Sequence, residues 1–129
     1  MRQAYERYSQ GNFAGLLELF HPDIEVYVAP PNFESGTYHG HDEYLRLVQR
    51  WGENWDEMRT EPKELEMKGD WALAHVLYIG KGKGSTVEVT QPSWELSRWR
   101  DGLCREYRVY WDRDEGLRAF EDASSSATA

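Results

Sequence analysis

Apolar residues in the first half of the chain recur with the period of helices. Residues 2–9 have a helical pattern that Gly11 interrupts, a second helix begins at Phe13 and ends before Pro22, and a third runs from His41 to about residue 54. The apolar positions of the last two fall on one face: Phe13, Leu16, Leu17 and Phe20, then Tyr44, Leu45, Val48, Trp51 and Trp55. Each of these helices therefore needs a partner to pack against.

Other segments have the alternation of apolar and polar residues that is typical of strands. One of them lies between the second and third helices, and the others follow the third helix. A first strand is predicted over residues 24–29, a loop over 32–40, and four later strands over 58–67, 71–79, 86–99 and 103–111. Pro92 is expected to mark a bulge or bend in the longest strand. The residues Arg100-Asp101-Gly102 predict a tight turn between the last two strands.

Helices followed by mostly consecutive strands predict an α+β fold, with helices on one face of a curved antiparallel sheet. A length of 129 residues fits one domain. We place that domain at residues 1–121 and expect the Ser- and Ala-rich residues 122–129 to form a disordered tail.

Charge and composition narrow the classes of partner. A net charge of -8 and a pI near 5.0 argue against a nucleic-acid partner. Cys104 is the only cysteine, which rules out an intramolecular disulfide, and no apolar run approaches the length of a membrane span. With a polar N-terminus unlike a signal peptide, the chain is expected to be cytoplasmic and not membrane-bound.

Five short motifs, in this order, resemble the SnoaL-like branch of the nuclear transport factor 2-like superfamily. They are Tyr8-Ser9-Gln10-Gly11-Asn12, Leu19-Phe20-His21-Pro22-Asp23, Gly36-Thr37-Tyr38-His39-Gly40, Arg100-Asp101-Gly102 and Tyr110-Trp111-Asp112-Arg113-Asp114-Glu115. The resemblance implies a cone-shaped α+β barrel. In such a barrel three N-terminal helices pack on the concave face of a strongly curved, mostly antiparallel sheet, and a pocket lies between them.

The resemblance also implies a candidate acid or base at the end of the last strand. Cyclases and epoxide hydrolases of the superfamily use a strand-end carboxylate that faces the pocket, a position that Asp112 occupies, with Arg108 and Tyr110 as possible partners. The alternative is that Asp112 caps the turn and helix that follow.

Two further residues are candidates for proton transfer. Glu95 lies where many SnoaL-like sequences have a cavity-facing histidine, and a dry pocket would raise the pKa of a carboxyl there, although its face of the strand could equally be solvated. His75 interrupts the most apolar strand, so it is either a proton carrier paired with Glu95 or Asp112 or a hydrogen-bonded structural histidine.

Aromatic residues supply the expected lining of the pocket, or else plain packing. Tyr27, Trp55 and Trp99 are the candidates beside Arg108 and Tyr110. No spacing of ligands predicts a metal site, and no cofactor is expected. The catalytic base of ketosteroid isomerase corresponds to Val28, and its first-helix tyrosine falls near Ala4, one residue from Tyr5. Isomerase chemistry of that kind is therefore not predicted.

These observations leave two functional hypotheses and one structural one. The first is a protein that binds a small, largely apolar organic molecule, with cofactor-independent acid–base chemistry of the cyclase, isomerase, dehydratase or epoxide hydrolase type. The second is a non-catalytic ligand-sensing or dimerisation module. The third is a structural dimer whose cavity is filled by aromatic side chains. A homodimer through the sheet is expected from the resemblance and from a face formed by Tyr107, Val109 and Trp111.

Overall fold

The described residues form one six-stranded sheet and four helices. The computed structural model describes residues 2–31, 34–53 and 55–126. The helices are α1 (Arg2–Ser9), α2 (Phe13–Leu17), α3 (Gly40–Gly52) and α4 (Arg113–Ser126). The strands are β1 (Phe20–Val28), β2 (Gly36–His39), β3 (Trp55–Lys68), β4 (Trp71–Gly82), β5 (Glu88–Arg100) and β6 (Leu103–Tyr110).

The strand order is β2-β1-β6-β5-β4-β3, and every neighbouring pair is antiparallel except the parallel pair of β1 and β6. Within the described residues the edge strands β2 and β3 are not paired with each other, so the sheet is open. The predicted α+β architecture is confirmed. The predicted turn is also present: Asp101 and Gly102 both have positive φ, at 54° and 77°, as a two-residue hairpin loop requires.

The first three helices lie across one face of the sheet, which we call the inner face. Here α1 packs on β3, and α2 and α3 pack on β1. The core between them is apolar and contains Leu16, Ile24, Val26, Leu47 and Val48, all nearly inaccessible to solvent. This packing places α1 and α3 over the inner face of the sheet, where a pocket was predicted.

The fourth helix was not among the three predicted. Helix α4 covers part of the opposite, outer face, where Phe120 packs with Trp71 and Leu96. It continues through residue 126, and the Ser124 hydroxyl donates to the Phe120 carbonyl at 2.7 Å. The boundary predicted at Asp122 therefore falls inside a helix, because one apolar side of this polar segment is buried by the sheet. Residues 127–129 of the predicted tail lie outside the described residues.

Element boundaries differ from prediction where pairing with the sheet outweighs local pattern. Helix α2 ends at Leu17 and β1 begins at Phe20, because the Leu19 carbonyl accepts a hydrogen bond from Cys104 N at 2.8 Å and Phe20 pairs with that residue. The predicted loop 32–40 contains β2, which pairs with β1. The bulge predicted at Pro92 is absent, because Pro92 pairs with Leu77 in the β4–β5 ladder without a register shift. The register shift of β5 lies between Arg98 and Trp99, in its pairing with β6.

Candidate functional site

A fully buried carboxyl group lies at the centre of the inner face. Glu95 of β5 has a relative exposure of 0%. Its Oε1 accepts hydrogen bonds from the hydroxyls of Tyr5, at 2.8 Å, and Tyr107. Its Oε2 accepts from Tyr78 at 2.5 Å and from Ser93 Oγ at 2.9 Å. Four hydroxyl donors therefore surround one acidic side chain.

The strand alternation of the sheet explains this convergence. Ser93, Glu95 and Ser97 point to the inner face of β5, and register carries Tyr78 of β4 and Tyr107 of β6 to the same face. Directly opposite Glu95 on β4 is Ala74, whose small side chain leaves room for the larger groups around it. Helix α1 supplies the remaining donor from above, through Tyr5, its one buried residue within the described part of the helix.

A small cavity lies next to this cluster. The helices contribute Ala4, Tyr5 and Tyr8 from α1 and Tyr44, Leu47 and Trp51 from α3, and the sheet contributes Tyr78 and Tyr107 among others. The cavity measures about 20 Å³ for the centre of a water-sized sphere, which is room for about one water molecule. Glu95 is not itself part of the lining, so the tyrosine hydroxyls stand between its carboxyl and the cavity.

Burial dominates the electrostatics of this cluster. It raises the pKa of Glu95 above the ordinary value of 4.5, while the hydrogen bonds from Tyr107, Tyr78, Tyr5 and Ser93 act in the opposite direction. Burial and the nearby carboxyl together raise the pKa of Tyr5, Tyr78 and Tyr107 well above 10.0. The tyrosines thus stay protonated as donors.

A further donor lies at the cavity on the α3 side. The indole Nε1 of Trp51 is buried and has no hydrogen-bond partner among residues 2–31, 34–53 and 55–126. Its ring lies edge-on to Tyr78, with centroids 6.3 Å apart. A buried donor without a partner is unfavourable.

Asp112 does not reach the cavity. Its side chain is exposed, and its Oδ2 accepts a hydrogen bond at 3.0 Å from the backbone N–H of Glu115, in the first turn of α4. This is the geometry of a helix N-cap. Of the two interpretations of Asp112, capping is the one that the contacts support.

His75 lies on the outer face, away from Glu95. It pairs across the ladder with Trp94, and the two rings stack with centroids 4.6 Å apart and planes 14° apart. Its Nδ1 is 3.0 Å from the Ser93 carbonyl oxygen. The expected convergence of Asp112, Glu95 and His75 on one cavity is thus not found, because strand alternation turns Glu95 and His75 to opposite faces.

Three of the predicted lining residues also lie on the outer face. Tyr27 and Tyr110 pack together in the core beneath α4, with ring centroids 5.9 Å apart. Arg108 donates to Glu106 at 2.9 Å and lies over the Trp71 ring at 5.3 Å. The side chains of these residues are therefore part of the packing between the sheet and α4.

The two predicted tryptophans are structural as well. The ring of Trp55 lies so close to Gly80 that a Cβ there would approach it to 2.9 Å. Trp99 donates from its indole N–H to Ser97 Oγ at 2.8 Å. Tyr107 and Val109, considered above as part of a partner-covered face, line the inner cavity instead, since the inner face is the one beneath the helices.

The sequence pattern missed the tyrosines. Tyr5, Tyr78 and Tyr107 are more than 20 positions apart in the chain, and each is flanked by ordinary helix or strand residues. The sequence did point to Tyr5, because it lies one residue from the position of the first-helix tyrosine of ketosteroid isomerase. The Tyr5 hydroxyl donates a hydrogen bond to the buried carboxyl of Glu95. Tyr78 and Tyr107 could have been found from strand register, because they lie on β4 and β6, the two strands that flank β5, and on the face of Glu95.

No group of three or more His, Cys, Asp or Glu residues in the described part of the chain is placed to hold a metal ion. None of the helices described is both long and apolar enough to cross a membrane.

Similar proteins place this architecture in a known class. An NTF2-like protein of unknown function from Burkholderia pseudomallei superposes with a TM-score of 0.77 at 22% identity, over 92% of both chains. A putative SnoaL-like polyketide cyclase from Mesorhizobium loti gives 0.64 at 24% identity, over 85% of this chain and 94% of that one. A protein with a ketosteroid isomerase-like fold from Catenulispora acidiphila, in complex with trimethylamine, gives 0.73 at 17% identity, over 91% and 88%.

The open curved sheet with helices across its inner face is thus the NTF2-like fold. Within that class the chain belongs to the SnoaL-like domain family, because the family's model matches residues 1–107. Helix α4 lies beyond the matched segment. No functionally curated protein matches the sequence.

Proposed function

We propose that this protein binds a small, largely apolar organic molecule beneath α1 and α3 and transfers a proton to or from it through tyrosine hydroxyls backed by Glu95. The observation that carries the proposal is the contact of one fully buried carboxyl with three tyrosines that line the adjoining cavity. Burial raises the pKa of this carboxyl, so it keeps its proton to higher pH than an exposed glutamate does, as a general acid requires.

The proton follows a short path in this mechanism. When Glu95 is protonated, its O–H donates to one tyrosine hydroxyl in place of the bond that this tyrosine donates to it. That tyrosine then passes its own proton to an acceptor oxygen on the ligand and receives the proton of Glu95, which is the net source. The reverse order serves a base-catalysed step. Acid–base chemistry of the cyclase, isomerase or dehydratase type needs this kind of group. The unpartnered N–H of Trp51 would orient the same oxygen.

The similar proteins support a small organic ligand by analogy. One is described as a putative polyketide cyclase, and another was solved with trimethylamine. At identities of 24% and 17% these likenesses extend to the fold, and fold alone is a weak guide to chemistry. The proposal for this chain therefore depends on Glu95 and its hydroxyl partners.

A second candidate function is a non-catalytic binding or structural module. The small volume of the cavity favours this function, since about 20 Å³ is too little space for an organic molecule. In that case the cluster of Glu95 and tyrosines serves to fix the position of α1 on the sheet.

Cyclohexanone is a suitable probe to separate the two functions, because acid–base catalysis exchanges its α-hydrogens. Binding is followed by NMR shifts of the tyrosine ring protons, and exchange by loss of the α-proton signal in D2O. We expect the wild-type protein to accelerate exchange at least about tenfold over Glu95→Gln, with Tyr27→Phe, on the outer face, as the matched control. Binding of cyclohexanone without faster exchange would support the non-catalytic module. The absence of binding would contradict the proposal that the protein binds a small organic ligand.

A further inference from the structure

A second volume lies on the other side of α1. It is an open groove of about 330 Å³ between α1 and β3. Tyr5 and Thr60 contribute to the walls of both this groove and the small cavity. Two volumes that share lining residues are separated by about one layer of side chains. Tyr5 and Thr60 therefore form a wall between the cavity and the groove.

Hydrogen bonds from Tyr5, Ser9 and Thr60 help to hold this wall in place. The Tyr5 hydroxyl donates to Glu95, and Thr60 Oγ1 donates to the Tyr5 carbonyl at 3.3 Å. Ser9 Oγ lies 3.0 Å from Thr60 Oγ1 and accepts from Thr60 N, also at 3.0 Å. Helix α1 has eight residues, a length at which an isolated helix is not stable in water. Its position thus depends on tertiary contacts, which include this set with β3 and β5 and the packing of α1 on α2.

The two volumes differ in chemistry. The cavity is lined by apolar side chains and phenol rings, whereas the groove is lined mostly by polar residues, among them Arg2, Glu6, Ser9 and Gln10. The opposite charges of Arg2 and Glu6 leave the groove without a clear preference for an ion. An uncharged group with hydrogen-bonding atoms matches it best.

We propose that the ligand is amphipathic and enters between α1 and β3 at Tyr5, with an apolar ring in the cavity and an uncharged polar end in the groove. This inference rests on the proposed function, because it assumes that the cavity is the binding site. Displacement of Tyr5 joins the two volumes and gives the ligand the space that the small cavity lacks. It also releases one of the two hydroxyl bonds to Glu95 Oε1, which leaves that oxygen available for proton exchange.

A disulfide between α1 and β3 tests the route of entry. The double variant Ser9→Cys/Thr60→Cys replaces two oxygens that lie 3.0 Å apart, and the native Cys104 is buried and so does not compete. The probes are toluene and 4-phenylbutanamide, and the reduced double variant is the control. We expect oxidation to slow association of both probes at least about tenfold. Equal rates in the oxidised and reduced forms would overturn the proposed entry route.

A comparison of the two probes tests the ligand class. Gln10→Ala removes a polar group from the groove and leaves the cavity unchanged. It should therefore weaken the binding of 4-phenylbutanamide about threefold to tenfold and leave the binding of toluene unaffected. Gln49→Ala, at an exposed position of α3, is the matched control. Equal loss for both probes, or loss for neither, would contradict a polar end in the groove.

Hydrogen exchange separates failure of this inference from failure of the proposed function, because it needs no ligand. Tyr5→Phe removes the bond to Glu95 and should speed amide exchange in α1 at least about fivefold while α3 is unchanged. If exchange in α1 is faster in this way but neither probe binds, the proposed function is contradicted, whereas a movable wall at Tyr5 and Thr60 is supported. If α1 and α3 exchange alike in both proteins, the movable wall is excluded.

Discussion

The phenol of Tyr5 donates a hydrogen bond to Glu95 Oε1 at 2.8 Å, across 90 positions of the sequence. This contact links the first helix of the chain to the middle strands of the sheet, in a site from which solvent is excluded. It gives one residue two roles, as a donor to the buried carboxyl and as part of the wall between the cavity and the groove. The stability of α1 and the acidity of Glu95 are coupled through it.

Ionisation of Glu95 should reduce stability as pH rises. The pKa of its carboxyl is raised in the folded protein above the ordinary 4.5 of the unfolded chain, so between these values only the folded state keeps the proton. The stabilisation is complete below about pH 4.5 and is lost as pH rises through the folded pKa, by up to about 1.4 kcal/mol per pH unit.

The measurement for this prediction is urea denaturation of the wild type and Glu95→Gln between about pH 5 and pH 8. The difference in unfolding free energy isolates Glu95, because every other group is common to both proteins. The wild type should lose stability relative to the variant as pH rises. A difference that is constant, or that moves in the opposite direction, would refute the raised pKa.

Removing one hydroxyl from the cluster should destabilise the fold. Tyr78→Phe leaves Glu95 Oε2 with Ser93 as its remaining donor among the described contacts, and the loss of a hydrogen bond to a buried acidic group costs about 1–3 kcal/mol. The pKa of Glu95 should rise further, because this bond lowers it. The free energy of unfolding from denaturant titration measures the first effect, and carboxyl NMR shifts against pH measure the second.

The control for this substitution is Tyr27→Phe, whose hydroxyl lies on the outer face and does not contact Glu95. It removes the same atom from a half-buried tyrosine. If both variants lost equal stability, the cost would reflect generic loss of a hydroxyl and not the buried cluster.

Close packing of α4 on the sheet should make Gly116 sensitive to substitution. A Cβ at this position would approach Trp94 Cβ to 2.6 Å, so Gly116→Ala forces α4 to move and should cost about 1–3 kcal/mol. Gly52→Ala is the matched control, since a Cβ there meets nothing within 4 Å. Thermal unfolding followed by circular dichroism compares the two, and a similar Tm for both variants would contradict the close contact.

The sequence contained enough to predict the class of fold but not the composition of the site. Periodicity identified the helices and the long strands, because apolar alternation and turn residues are local signals. It did not show which face of β5 is buried, since Trp94 and Leu96 flank Glu95 and sheet packing occurs on both faces. Helix α4 makes the outer face a second core, and for that reason alternation alone could not separate His75 from Glu95.

The role of Asp112 shows the same limit on a smaller scale. A carboxylate at a strand end is compatible with a pocket acid and with a helix cap, and the residue types around it do not distinguish the two. The hydrogen bond from Glu115 N does distinguish them, because it directs Asp112 Oδ2 towards the backbone of α4. Only the orientation of the following helix contains this information.

Replacement of Asp112 should therefore affect stability and leave the cavity unchanged. Asp112→Ala removes the acceptor for Glu115 N and should cost about 0.5–2 kcal/mol, as for other helix N-caps. Asp112→Ser, which can cap in the same way, should restore most of the loss although it has no acidic group. Cyclohexanone binding and α-hydrogen exchange should match the wild type in both variants. If Asp112→Ser had normal stability but no longer accelerated the exchange of the α-hydrogens of cyclohexanone, a catalytic role of Asp112 would be supported.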